Sequence, residues 1–123
     1  MSLESSYEEI KKLIDIDNFI DYWIAESYLT NNDMINIRYF SHPDIDNGKM
    51  KMILFDLDLG WYYYYQNYYN FMTNPDGMTE YNHVSTEILR GLLKNKEFKA
   101  KYLERLKYNL ENTWKKENIY NKI

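Results

Sequence analysis

The 123-residue sequence predicts an α+β domain, mostly helical, built around one central antiparallel β-hairpin. Three observations carry that expectation. Apolar residues recur at three- and four-residue spacing in 16–29 and again from Phe98 to Trp114. Two β-rich runs, Ile35–Phe40 and Met50–Phe55, flank the strong hairpin dipeptide Asn47-Gly48. The second run ends abruptly in Asp56 and Asp58.

Taken in order, Met1-Ser2-Leu3 reads as an expression scar and 4–123 as a single domain. Residues 5–13 form a short helix, with Ser5 or Ser6 as cap and Glu8 and Glu9 in its first turn, where the helix dipole favours negative charge. Asp15 is a second cap. After it Ile16, Phe19, Ile20, Trp23, Ile24 and Tyr28 mark a buried amphipathic helix over 16–29. Glu26 falls near this stripe and is expected on its solvated flank. Asn31, Asn32 and Asp33 accumulate where the pattern stops, which is ordinary turn chemistry; taken alone, Asp33 is a loop residue.

The hairpin follows. In an extended strand residues i and i+2 share a face, so Asp56 and Asp58 are expected to project together. Two carboxylates at the end of a buried strand repel each other unless a cation or donors compensate. That favours a divalent metal held by oxygen ligands, with a phosphate-bearing substrate completing the shell; the plain alternative is a pair of solvated or helix-capping aspartates. The antiparallel pairing also brings the start of the first strand, with Asp33 and Asn36, beside the end of the second. Four oxygen-bearing side chains then meet at one end of the hairpin, within about 10 Å by strand spacing. Asp44, Asp46 and Gly48 do not make a calcium loop, because the fifth position is glycine and the twelfth is Phe55.

Trp61–Met72 is dense in aromatics, and the chain holds fourteen tyrosines, so this stretch is expected to pack a loop over the core. Asn74-Pro75-Asp76-Gly77 is a turn. A helix begins near His83, capped by Asn82 or Ser85, with Val84, Ile88, Leu89, Leu92 and Leu93 on one face. Asn95-Lys96-Glu97 breaks it. A long helix then runs through Phe98, Tyr102, Leu103, Leu106, Leu110 and Trp114, with Lys99, Lys101, Arg105 and Lys107 on its solvated face.

Other chemistries find little support. There is no cysteine, hence no disulfide framework and no thiolate metal site. The net charge of −4 disfavours a general nucleic-acid binder, and no apolar run is long enough for a membrane span. No Ser-His-Asp arrangement, glycine-rich phosphate loop or histidine cluster can be assembled. Ile53-Leu54-Phe55-Asp56-Leu57-Asp58 mimics the nucleophile strand of a haloacid-dehalogenase-type phosphatase. Leu59-Gly60 lacks the Gly-Thr-like pair such enzymes carry, and the C-terminal half is helical. A nucleotide-sugar transferase would need βα units before its Asp-x-Asp. A tyrosine-rich scaffold without catalysis remains as the non-enzymatic alternative.

The order and spacing of these motifs resemble the CotH kinase family, the spore-coat kinases and their relatives. Asp15-Ile16-Asp17-Asn18-Phe19-Ile20-Asp21-Tyr22 matches a family helix of the form Ile-Asp-x-x-x-Phe-Ile-Asp-Tyr. Asn31-Asn32-Asp33 with Asn36 matches its Asn-x-Asp segment. Phe55-Asp56-Leu57-Asp58-Leu59-Gly60-Trp61-Tyr62 is similar to its Trp-Asp-x-Asp-x-x-Phe-Gly strand end, with Phe55 in place of Trp and Tyr62 where glycine is frequent. Leu92–Leu110 matches the closing helices.

The resemblance implies the C-terminal catalytic lobe of a kinase-like fold, transferring phosphate from ATP to serine of a spore-coat or surface protein. It implies Asp33 as the catalytic aspartate that handles the acceptor hydroxyl, Asn36 as its cofactor-binding assistant, and Asp56 and Asp58 as holders of Mg²⁺ or Mn²⁺. No ATP-contacting lysine precedes residue 15, so this stretch by itself is expected to bind ATP weakly and to be inactive.

Overall fold

A computed structural model describes residues 3–31, 36–74 and 86–122. Among them the architecture is mostly helical, with a two-stranded antiparallel sheet. The turn expected at 74–77 and the helix start at 82–85 lie largely outside the described residues.

Helix α1 spans Leu3–Leu13. It starts before Ser5 and Ser6, so both serines lie inside the helix and do not cap it. Its buried residue is Tyr7, whose ring meets Phe98 edge-on at 6.1 Å. The chain then straightens for two residues. The Met50 N–H donates to the Leu13 carbonyl at 2.8 Å, and the Asp15 N–H donates to the Met50 carbonyl at 3.0 Å. This short parallel bridge between Ile14 and Met50 fixes where the next helix begins.

Helix α2, Ile16–Leu29, has the bounds its periodicity predicts. Asp15 caps it by accepting the Asn18 N–H at 3.1 Å. Ile16, Phe19, Ile20, Trp23 and Ile24 are buried along one face, as predicted, and Tyr22 is buried beside them. Glu26 is buried too, at 1% exposure, against the expectation of a solvated flank. The Tyr22 hydroxyl bonds its carboxyl, so burial does not strip the group of polar contact. Burial, and then the neighbouring Glu26, push the Tyr22 hydroxyl well above the ordinary tyrosine range.

Strands β1 (Arg38–Phe40) and β2 (Lys51–Ile53) pair antiparallel, with Tyr39 opposite Met52. Asn47-Gly48 does form the hairpin turn, with Asp46, Asn47 and Gly48 all at positive φ. The strands are three residues each, half the predicted length. Met52 alone among them is buried, and a two-stranded ribbon without a covered second face has little to extend it.

Helix α3, Tyr68–Thr73, is capped by Asn67, which accepts the Asn70 N–H at 3.0 Å. Tyr68 and Met72 are buried, whereas Tyr62, Tyr64 and Tyr65 are exposed, so the aromatic stretch packs only in its second half. Helix α4 covers Glu87–Leu92 and buries Leu89 and Leu92; Ile88 faces out. Asn95 ends the predicted break as a cap, accepting the Phe98 N–H at 2.9 Å.

Helix α5, Lys96–Tyr108, buries Phe98 and Tyr102. The predicted single helix to Trp114 does not persist. It widens into a π turn over Asn109–Thr113, followed by α6, Lys116–Tyr120. The wider turn carries Trp114 onto Tyr28, where the rings stack at 3.9 Å and 11°. Lys101 and Arg105 do more than line a solvated face. Lys101 pairs with Asp17 at 3.0 Å, and Arg105 with Asp17 at 3.2 Å and Asp21 at 3.1 Å, which ties α5 to α2.

Helix α2 is thus the spine: β2, α3 and α5 all pack on it. No helix among the described residues is long and apolar enough to cross a membrane.

Candidate functional site

The site forms where the C-terminus of α2 meets the turn after β2. Helix α2 closes with Thr30 in the left-handed region, φ 49°. The Thr30 N–H reaches the Ser27 carbonyl at 3.3 Å and the Asn31 N–H reaches the Glu26 carbonyl at 3.2 Å. This is the paired closure usually made with glycine.

Two further α2 carbonyls are satisfied from the segment after the carboxylates. The Trp61 amide donates to the Leu29 carbonyl at 2.5 Å, and its indole N–H donates to the Tyr28 carbonyl at 3.0 Å. Trp61 holds φ at 60°, a conformation that bulky residues rarely adopt. Both hydrogen bonds and the edge contact with the Tyr28 ring at 6.0 Å hold it there. Gly60 is needed just before it, because a Cβ would lie 2.9 Å from the Leu57 carbonyl oxygen. The turn bearing Asp56 and Asp58 is therefore anchored to the end of α2.

Asp56 itself is gripped from two sides. The Asn36 carboxamide donates to Asp56 Oδ2 at 2.9 Å. The Asn31 carboxamide donates to the Asp56 main-chain carbonyl at 3.4 Å. Asn31 is 1% exposed, and its own carbonyl accepts the buried Tyr68 hydroxyl. The structure thus brings Asn36 and Asp56 together, as the hairpin geometry predicts. Asp33 lies outside the described residues.

One expectation is corrected. Strand alternation puts Asp56 and Asp58 on one face, but β2 ends at Ile53 and Asp56 has φ 58°. Alternation does not apply to a left-handed residue, so the main chain turns at Asp56 and does not run on as a strand. Both carboxylates are exposed.

Asn31 and Tyr68 join the site without a pattern that singles them out. Asn31 sits in a polar turn cluster, and Tyr68 is one tyrosine in a run of many. Only the cap at Asn67 marks Tyr68 as the start of a helix.

Among the described residues no three histidine, aspartate, glutamate or cysteine side chains gather into a cage for a metal ion. The donor set instead fits a hard cation that keeps much of its shell as water or phosphate oxygen, held by one or two carboxylates. The bond from Asn36 to Asp56 leaves Asn36 Oδ1 as a further oxygen acceptor at the same spot.

Comparison with known proteins gives one family. The model described as CotH kinase protein matches residues 2–123. No curated protein and no solved structure gives a significant match.

Proposed function

The chain belongs to the CotH kinase family, and from that premise we propose that it is the catalytic-lobe part of a protein kinase. The reaction is transfer of the terminal phosphate of ATP to a serine hydroxyl of a spore-coat or cell-surface protein. The observation that supports it best is the 2.9 Å hydrogen bond from Asn36 to the Asp56 carboxylate, which joins residues twenty apart at one end of the hairpin.

In this reading Asp56, with Asp58, holds Mg²⁺ or Mn²⁺, and Asn36 orients the Asp56 carboxylate and offers its own oxygen. A cation held there would supply positive charge beside the phosphate oxygens. Asp33 accepts a hydrogen bond from the serine hydroxyl and takes its proton as the phosphorus–oxygen bond forms. The leaving group is ADP. Exposure of both Asp56 and Asp58 suits carboxylates that must face a nucleotide and its metal.

The test is transfer of labelled phosphate from ATP to a serine-bearing coat protein, with Mn²⁺ present, in the full-length natural protein. Asp33→Asn and Asp56→Asn are each expected to abolish labelling. Labelling at the wild-type rate in either variant overturns the assignment of that residue.

A second reading draws on the exposed aromatic run, where Tyr62, Tyr64 and Tyr65 are 67%, 77% and 70% exposed. A non-catalytic interaction module would use this surface and would keep its function in both aspartate variants.

A further inference from the structure

We infer that Tyr68 is a positioning residue for Asp56, acting through Asn31. Its consequence for metal binding rests on the phosphotransfer reading above. Tyr68 opens α3 and is 2% exposed. Its ring packs against Phe71 with centroids 5.4 Å apart. Its hydroxyl donates to the main-chain carbonyl of Asn31, the residue just past the left-handed end of α2.

Asn31 then passes the constraint on. The bond at its carbonyl fixes where the Asn31 main chain lies, and so the point from which its carboxamide reaches out. That side chain donates to the main-chain carbonyl of Asp56 at 3.4 Å. Asp56 is at φ 58°, and the bond on its carbonyl holds the main chain from which its carboxylate projects. The carboxylate is exposed and gains no orientation from packing. The Asn36 donor orients it, and the Asn31 bond holds the backbone it springs from.

The path runs from the core, where Tyr68 sits on α2, to a surface carboxylate. Groups that orient a ligand for a metal typically change metal affinity about 10- to 100-fold when removed. Deleting one buried hydroxyl is therefore expected to act on a carboxylate that Tyr68 does not touch.

The experiment compares Tyr68→Phe, Asn31→Asp, Asp56→Asn and the control Tyr69→Phe in the same chain. Tyr69 is the neighbouring tyrosine on α3 and is partly exposed. Two readouts are taken on folded protein, with thermal unfolding as the check: the NMR signal of the Asn36 side-chain amide, and the Mn²⁺ dissociation constant from electron paramagnetic resonance with the metal alone. Tyr68→Phe and Asn31→Asp are expected to move the Asn36 amide toward its position in Asp56→Asn and to weaken Mn²⁺ binding about 10-fold. Tyr69→Phe should do neither. An unmoved amide overturns the inference; so does a moved amide with unchanged Mn²⁺ affinity where Asp56→Asn abolishes it. If Asp56→Asn binds Mn²⁺ like the wild type, the metal reading of Asp56 fails instead, and the amide signal alone decides whether Tyr68 positions that residue. Asn31→Asp serves as the second variant should Tyr68→Phe fail to fold.

Discussion

Asn18 pairs with Met52 as a neighbouring strand would. Its carboxamide donates to the Met52 carbonyl at 3.2 Å and accepts the Met52 N–H at 2.6 Å. A helix cannot extend a sheet with its backbone, so this side chain does it, and β2 is held by β1 on one edge and by α2 on the other. Asn18→Leu removes both bonds and strands two main-chain groups at a half-buried position. The expected loss is about 2 kcal/mol of folding stability, from two hydrogen bonds at about 1 kcal/mol each. Asn18→Asp keeps the acceptor and should lose about half as much. Urea unfolding measures both, and an Asn18→Leu midpoint equal to the wild type would show that α2 does not hold β2 in this way.

Asp15 carries a pH dependence of defined sign. Burial alone would raise its carboxyl, but the Lys51 ammonium, the Asn18 N–H and the Asp17 N–H together outweigh it and hold it below the usual carboxylate value. Lys51 bridges Asp15 and Asp46, tying the start of α2 to the hairpin turn. A carboxyl lowered in the folded state stabilises above its unfolded pKa, near 4, and that contribution fades as pH falls through the folded value. Asp15→Asn keeps a good N-cap and removes only the charge. The stability advantage of wild type over Asp15→Asn should therefore be constant above about pH 5 and shrink below about pH 4. Denaturant midpoints across that range check it; an advantage that grows on acidification would contradict the sign.

The buried tyrosines give the opposite limb. Tyr22 is raised by burial and then by Glu26, and Tyr102 by burial and then by Tyr69. A tyrosine whose folded pKa is raised stabilises fully below its unfolded pKa, near 10, and loses that contribution as pH climbs toward the folded value. The fold is expected to weaken above about pH 10, with tyrosinate absorbance from these two appearing only on unfolding. Tyr22→Phe should flatten part of that alkaline slope. At neutral pH it costs about 1–2 kcal/mol, because the Glu26 carboxyl loses a donor inside the core. Equal alkaline slopes in the two proteins would count against the Tyr22–Glu26 pairing.

What was legible in the sequence follows from how each feature is encoded. The bounds of α2 were readable because a cap at Asp15 and a 3.6-residue apolar period agree. The hairpin was readable from Asn47-Gly48, but strand length was not, since it depends on a covering layer that local pattern does not report. Glu26 reads as a solvated flank because a charged residue on an apolar face carries no sign of the tyrosine that accompanies it. The stop of α5 at Tyr108 was missed because the apolar spacing runs on to Trp114, and only the Tyr28 ring explains the widened turn. The junction of Asn36 with Asp56 was foreseen from strand pairing. The hold of Tyr68 and Asn31 on Asp56 was not, because side-chain bonds to distant carbonyls leave no periodicity.

The left-handed backbone of Asp56 makes the choice of substitution decisive for its function. At φ 58° a residue with Cβ is strained, by about 1–2 kcal/mol in general, while asparagine and aspartate tolerate the region and glycine is free in it. Asp56→Ala therefore changes two things at once: it removes the carboxylate and adds backbone strain. Asp56→Asn removes the charge alone, and Asp56→Gly removes the side chain while relieving the turn. Stability should fall about 1 kcal/mol in Asp56→Ala and stay near wild type in Asp56→Asn and Asp56→Gly. On the phosphotransfer proposal, transfer by the full-length natural protein should be lost in all three, because each lacks the carboxylate proposed to hold the metal. Loss of activity that follows the order of stability, with Asp56→Asn retaining transfer, would make Asp56 a turn residue and remove it from the chemistry. Loss in all three at unequal stability would separate the carboxylate from the turn that presents it.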